Sequence, residues 1–211
     1  MIVQAEEMAR AVRVAIDMNK GDEPLIMEGD TDTLTLDEII YAKLADAVRL
    51  VEMEAPLSML ESGHDFGDCD LHIGDDGKGF VILPRDFMRL LCFRMSDWTR
   101  PVYEAITESD ELYGRQSSKW KGVCGCASRP VCAVVRRSEG LVLEFYSSRS
   151  GLATVAQATY LPYPIVDRDG GIDVAEGCYR AAVYRAASLV LASVGDQNWQ
   201  TMLEISKSLM T

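Results

Sequence analysis

Histidine is almost missing from this sequence: the 211 residues include two, His64 and His72. Chemistry that relies on an imidazole is therefore confined to one short region. Basic residues are also scarce. Twenty-one Lys and Arg face 33 Asp and Glu, a formal net charge of −12, which disfavours a dedicated nucleic-acid-binding protein. No run approaches the roughly 18 apolar residues of a membrane span. The opening MIVQAEEMAR lacks the basic stretch and apolar core of an export signal, so the cytosol of the producing cell is the expected location. In that setting Cys69, Cys92, Cys124, Cys126, Cys132 and Cys178 read as reduced thiols.

Several chemical signatures are absent as well. There is no CxxC pair and no His pair at zinc spacing; seven residues separate His64 from His72, and Cys124-Gly-Cys126 is a poor clamp. No nucleophile elbow surrounds a Ser or Cys. The acidic run Asp65, Asp68, Asp70, Asp75 and Asp76 lacks the closing Glu of an EF-hand, and in GDDGKGF the Gly-Lys pair is followed by Gly79 rather than Ser or Thr. The reading is accordingly no catalytic residue, no metal and no cofactor.

What is present is ordinary globular material, 48% hydrophobic and 26% charged, with no repeat, low-complexity tract or Pro/Ser-rich linker. A single domain over residues 1–211 is expected. From Gln4 to Asn19, Met8, Val12, Ala15 and Ile16 recur at helical spacing, and Lys20-Gly21 is a stop signal. Residues 21–33 are acidic and without pattern, which predicts a surface connection. Thr35 with Glu38 forms a capping box, after which Ile40, Leu44, Ala47, Val48 and Val51 trace a helical stripe toward Pro56. These two helices fill residues 1–61.

Residues 62–165 read as an inserted β-rich region. Gly and Asp mark turns around short apolar pieces at 71–73 and 80–83. Pro84 is expected to start a short helix through Arg89, followed by a strand in which Leu91, Phe93 and Met95 alternate with Cys92 and Arg94. Ser138-Glu139-Gly140 between two β-rich stretches predicts a hairpin, and a third strand near 153–161 would complete a small antiparallel sheet. Residues 172–211 predict a helical hairpin. Val174, Cys178, Ala181, Ala182, Tyr184, Ala186, Leu189 and Val190 share one face; Gly195 ends that helix and Asp196 caps a second carrying Trp199, Met202, Leu203, Ile205 and Leu209. The expected fold is α+β: a mainly helical bundle with an inserted small antiparallel β-sheet.

Charge is unevenly spread. Residues 1–84 hold 19 acids and 6 bases, a balance of −13, and the remainder holds 14 acids and 15 bases, a balance of +1. In residues 85–150, aromatic side chains such as Tyr113 are interleaved with 11 basic and 8 acidic residues, a mixture common in protein interfaces. The candidate interface residues are Trp98, Arg100, Tyr103, Trp120, Arg136 and Arg137. Pro101 biases Arg100 toward extended backbone, so Trp98 and Arg100 are expected to project from a strand end.

The order DFMRLLCFRMSDWTRPVYEAI, then ASRPVCAVV and LVLEFYSS, then CYRAAVYRAASLVLASVGDQNWQTMLEISKSLM resembles the head-to-tail connector proteins of tailed bacteriophages, of the crAss-like type found in phages of Bacteroidetes. The likeness runs over most of residues 36–210 and is nearest in the C-terminal hairpin, where an Ala-rich helix ends at Gly-Asp; residues 62–82 have no counterpart. The resemblance implies a helical bundle with an inserted β portion and a non-enzymatic virion component at the head-tail junction. It also implies a homo-oligomeric ring docked to the portal and to neighbouring tail or ring proteins, with DNA passing non-specifically through its channel. The residues alone accommodate two alternatives, a small cytosolic enzyme or metal-binding module using the Cys/His region, or a monomeric regulatory module.

Overall fold

The two ends of the chain fold together. The computed structural model describes residues 1–17, 35–61, 63–74, 76–118, 120, 122–146, 148, 151–167 and 169–211. Segments Met1–Glu61 and Pro164–Thr211 form one compact unit, and Ser62–Tyr163 forms another. Each has its own apolar core.

The first unit is helical with a two-stranded ribbon, in which β1 (Ile2–Gln4) pairs antiparallel with β10 (Gly171–Asp173). Helix α1 spans Ala5–Asp17, so Gln4 closes β1 rather than opening the helix. The predicted stop at Lys20-Gly21 and the connection at 21–33 lie outside the described residues. Helix α2 (Leu36–Glu54) begins with the expected reciprocal cap: the Glu38 N–H donates to Thr35 Oγ1 at 3.3 Å and the Thr35 N–H donates to Glu38 Oε2 at 2.8 Å.

Helix α4 (Tyr179–Ser193) is buried on nearly every side, not along one face, because α1, α2 and α5 (Trp199–Ser208) all pack on it. Its Ala181, Ala182, Ala186 and Ala187 let those helices approach closely, and Ser206 Oγ donates to the Ala181 carbonyl at 2.8 Å between α4 and α5. Val174 and Cys178 precede the helix, Val174 just after β10 and Cys178 in a 3₁₀ turn at Glu176–Cys178. At the other end Gly195 has φ 75°, the left-handed conformation glycine tolerates. Its N–H donates to the Ala192 carbonyl, and the Asp196 N–H donates to that of Leu191 at 2.9 Å. Asp196 itself does not cap α5; its Oδ1 accepts the Asn198 N–H in a turn just before the helix.

One buried carboxyl stands out in this unit. Glu52 of α2 accepts the Ala175 N–H at 2.9 Å, and burial raises its pKa above the ordinary value. The folded chain then holds that proton more tightly than the unfolded one, so its contribution to stability falls as pH rises from 4.5 through the raised value. Glu52→Gln keeps an acceptor for Ala175 without the charge. It is expected to raise the urea midpoint at pH 7, read by the helical far-ultraviolet circular dichroism that this unit dominates, with the gain vanishing near pH ~4, below both values.

The second unit corrects the expectation of one small inserted sheet. The described residues hold ten strands in three sheets and five helices; two of the sheets are here. In the three-stranded sheet β9 (Val155–Pro162) lies between β2 (His64–Asp65) and β5 (Phe87–Met95). In the five-stranded sheet the order is β3 (Leu71–Ile73), β4 (Gly79–Ile82), β8 (Gly140–Phe145), β7 (Cys132–Arg137), β6 (Ile106–Thr107), with only β6 parallel to its neighbour. The hairpin of β7 and β8 forms as expected, Arg137 opposite Gly140, but the strand predicted at 153–161 pairs with β2 and β5 instead of joining it. Nor do residues 84–89 make a helix. They form a turn in which the Phe87 N–H donates to the Pro84 carbonyl at 3.1 Å, and β5 starts at once because Phe87 and Met88 are both buried.

Phe66, Phe93, Met95, Trp98, Leu143 and Phe145 build the core of this unit. Across the five-stranded sheet, Ala133, Val135 and Val142 form a smaller cluster with Phe80, Ile82, Tyr113 and Tyr146 packed on it. A short helix that the sequence pattern had not signalled, α3 (Glu111–Arg115), supplies Tyr113; its Asp110 cap accepts the Leu112 N–H at 2.8 Å. Among the described residues no helix is long and apolar enough to cross a membrane.

Candidate functional site

Strand alternation places His72, Phe80 and Glu144 on one face of the five-stranded sheet, since His72 lies opposite Phe80 and Phe80 opposite Glu144. On that face is a cavity of about 950 Å³, a size suited to a ligand or a few side chains of a partner. Its walls include His72, Lys78, Phe80, Tyr113, Arg137, Glu144, Tyr146 and Leu152.

Glu144 is 7% exposed, and its burial is compensated on both oxygens. Arg137 donates from Nε at 2.8 Å and Nη2 at 2.5 Å to Oε1. Tyr146 donates to Oε2 at 2.7 Å, with the Tyr113 hydroxyl at 3.5 Å. Burial and the adjoining Glu144 charge raise the pKa of both tyrosines, so they remain protonated donors at neutral pH. The arrangement also fixes Arg137: its guanidinium carbon sits 4.5 Å from the Phe80 ring centroid. His72 stacks on Phe80 with centroids 4.6 Å apart. The result is a layered wall of imidazole, phenyl and guanidinium at the cavity edge.

Of the predicted interface residues, the structure brings only Arg137 to this cavity. Arg100 and Arg136 are exposed, as are Tyr103 at 54% and Trp120 at 78%. Trp98 does not project. It is 2% exposed, edge-on to Phe93 and Phe145 at 5.7 and 6.0 Å. The reason is local: the Trp98 N–H closes a turn on the Met95 carbonyl, and Val102 bridges back to Phe93, so the chain reverses and carries the indole inward. Sequence reasoning missed Glu144, Tyr146 and Lys78. The available signal was a lone carboxylate in the apolar strand LVLEF, with two arginines just across the hairpin turn.

The Cys/His region does not converge. His64 is on β2 and His72 on β3, in different sheets, and His64 packs edge-on to Tyr160 at 5.9 Å. Among the described residues no group of three or more His, Cys, Asp or Glu is placed to hold a metal ion. Burial raises the pKa of Cys132 and, less strongly, of Cys69 and Cys92. Cys126 differs: the Ser128 hydroxyl, 3.2 Å from its sulfur, and the Arg129 and Ser128 N–H groups lower its pKa to about 7. Peptide mapping after brief iodoacetamide treatment is expected to find Cys126 alkylated first, its rate rising through about pH 7 ahead of Cys69 and Cys92. Equal labelling of the thiols would contradict this.

The fold and cavity together define a two-unit α+β protein with a polar, aromatic-walled surface cavity. No protein-family model matches the chain, and no curated protein matches it.

Proposed function

We propose that the protein is a subunit of a head-to-tail connector ring of a tailed bacteriophage, a virion component that docks to the portal and encloses part of the DNA channel. The observation that carries this reading is the chain order of the two units: a helical unit made from both chain ends, with a β-rich unit inserted between α2 and α4. That is the order of parts the connector resemblance implies. Exposed Arg100, Tyr103, Trp120 and Arg136 supply residue types that carry contacts between subunits. The net charge of −12 suits a channel wall that repels DNA phosphates and lets the duplex slide. In this role the chain has no catalytic residue, and its partners are further copies of itself, the portal and adjoining tail or ring proteins.

Analytical ultracentrifugation of the purified chain, alone and with portal particles, tests the proposal. The expected result is a closed multiple of the 23.3 kDa subunit or co-sedimentation with the portal. Trp120→Ala should weaken that assembly while leaving thermal unfolding of the subunit unchanged. A protein that stays monomeric and ignores portal particles would remove the reading.

A further inference from the structure

Two thiols share the outer face of one short stretch in the β-rich unit. From Cys124 to Ala127 exposure alternates residue by residue: Cys124 and Cys126 are half-buried, while Gly125 and Ala127 are buried. That period of two is the alternation of extended backbone, which puts the side chains of residues 124 and 126 on the same side. The backbone between them is pinned. The Gly125 N–H donates at 2.8 Å to Oε1 of Gln116, itself 3% exposed, and Gln116 Nε2 donates to the Leu112 carbonyl at 2.8 Å. A Cβ on Gly125 would come within 3.1 Å of Val131 Cβ, so the glycine lies flat on the protein and leaves no side chain between the thiols. Cys126 is fixed further by paired backbone bonds with Arg129 at 3.0 and 2.8 Å. Two residues of chain span at most about 7 Å, and a disulfide needs Cα atoms about 4.4–6.8 Å apart. The pair is therefore within bridging reach.

The two sulfurs differ in setting. Cys126 Sγ lies 3.2 Å from the Ser128 hydroxyl, with the Arg129 and Ser128 N–H groups and the Arg129 side chain also directed at it, donors that favour a thiolate. Cys124 Sγ instead faces an acceptor, the Trp120 carbonyl at 3.7 Å. One sulfur is equipped to attack and its neighbour to follow. We propose that Cys124 and Cys126 form a thiol–disulfide exchange site, at which Cys126 attacks a small disulfide of the glutathione class and Cys124 resolves the product. The Cys126 thiolate forms a bond to one sulfur of that disulfide, whose S–S bond breaks and releases the first thiolate. Cys124 then gives its proton to solvent and attacks Cys126 Sγ, which breaks the mixed disulfide and releases the second. In balance, the two protein thiols are oxidised to one disulfide and the small disulfide is reduced to its two thiols. Exposed Arg129 beside Cys126 offers a positive charge to the carboxylates of such a molecule. The inference is independent of the ring reading, since every group it uses belongs to one chain.

The test adds glutathione disulfide at pH 7 to the full chain, purified in reduced form, and follows the reaction by intact mass and peptide mapping. The chain is expected to lose the mass of one hydrogen pair and to gain a Cys124–Cys126 link, with Cys69, Cys92, Cys132 and Cys178 still free. Cys124→Ser should stop the reaction at a glutathione mixed disulfide on Cys126. Cys126→Ser should slow the uptake of glutathione about fivefold, because a thiol titrating at about 7 gains thiolate at pH 7 and gives back part of that gain in nucleophilicity. Thermal unfolding of both serine variants should match that of the parent. A mixed disulfide that persists in the unaltered chain, a link between two copies, or prior reaction of Cys69 or Cys92 each overturns the inference. So does a chain that glutathione disulfide leaves untouched. The map of the unaltered chain decides the outcome even where a serine variant fails to fold.

Discussion

Trp98→Ala is expected to lower the stability of the β-rich unit by about 3–5 kcal/mol, the cost of emptying a buried aromatic site. The indole is among the largest fully buried side chains and contacts Phe93 and Phe145 edge-on, so its removal leaves a void that two rings on different strands cannot both fill. Trp98→Phe should cost much less. Among the described residues the indole Nε1 is buried without a hydrogen-bond partner, and phenylalanine deletes that unsatisfied donor while retaining most of the apolar volume. Urea denaturation of the three proteins, followed by far-ultraviolet circular dichroism, checks the order wild type, then Phe, then Ala. A Trp98→Ala protein as stable as the parent would place the indole outside the core.

Gly79→Ala is the second large effect. Gly79 lies between Ile73 of β3 and Phe145 of β8, and a Cβ there would come within 2.4 Å of the His72 carbonyl oxygen and 2.4 Å of Phe145 Cζ. The carbonyl belongs to the backbone of the adjacent strand and cannot swing away. Either β3 separates from β4, dismantling the His72 side of the cavity, or the Phe145 ring leaves the core beside Trp98. Overpacking of this kind costs about 1–3 kcal/mol or more. Gly114→Ala is the matched control: it sits in α3 with nothing within 4 Å of the added methyl, and helix propensity favours the change by about 0.5–1 kcal/mol. A lowered urea midpoint for Gly79→Ala beside an unchanged or raised one for Gly114→Ala is the expected pair. Equal behaviour of the two would refute the steric argument.

The local elements were legible where one short-range rule was enough. The Thr35–Glu38 box, the left-handed Gly195 and the tight turn joining β7 to β8 each depend on residues within a few positions of one another, and each forms as its sequence indicates. Residues 84–89 were misread because a proline start signal competed with the burial of Phe87 and Met88, and burial is settled by strands far along the chain. Asp196 shows the same on a smaller scale: the residue type was right for a cap, but the turn at Asn198 takes its carboxylate first.

For the site the division is sharper. Sequence alone determined the acidic surplus of residues 1–84 and the scarcity of histidine that limits imidazole chemistry. Tertiary structure alone decided that Trp98 turns inward, that Glu144 is buried and satisfied by Arg137 and Tyr146, and that His72 stacks on Phe80 while His64 belongs to another sheet. Those outcomes follow from strand pairing between distant segments, such as β4 with β8. Which strand neighbours which is set by the summed burial of both sheet faces, a quantity no local stretch of sequence contains.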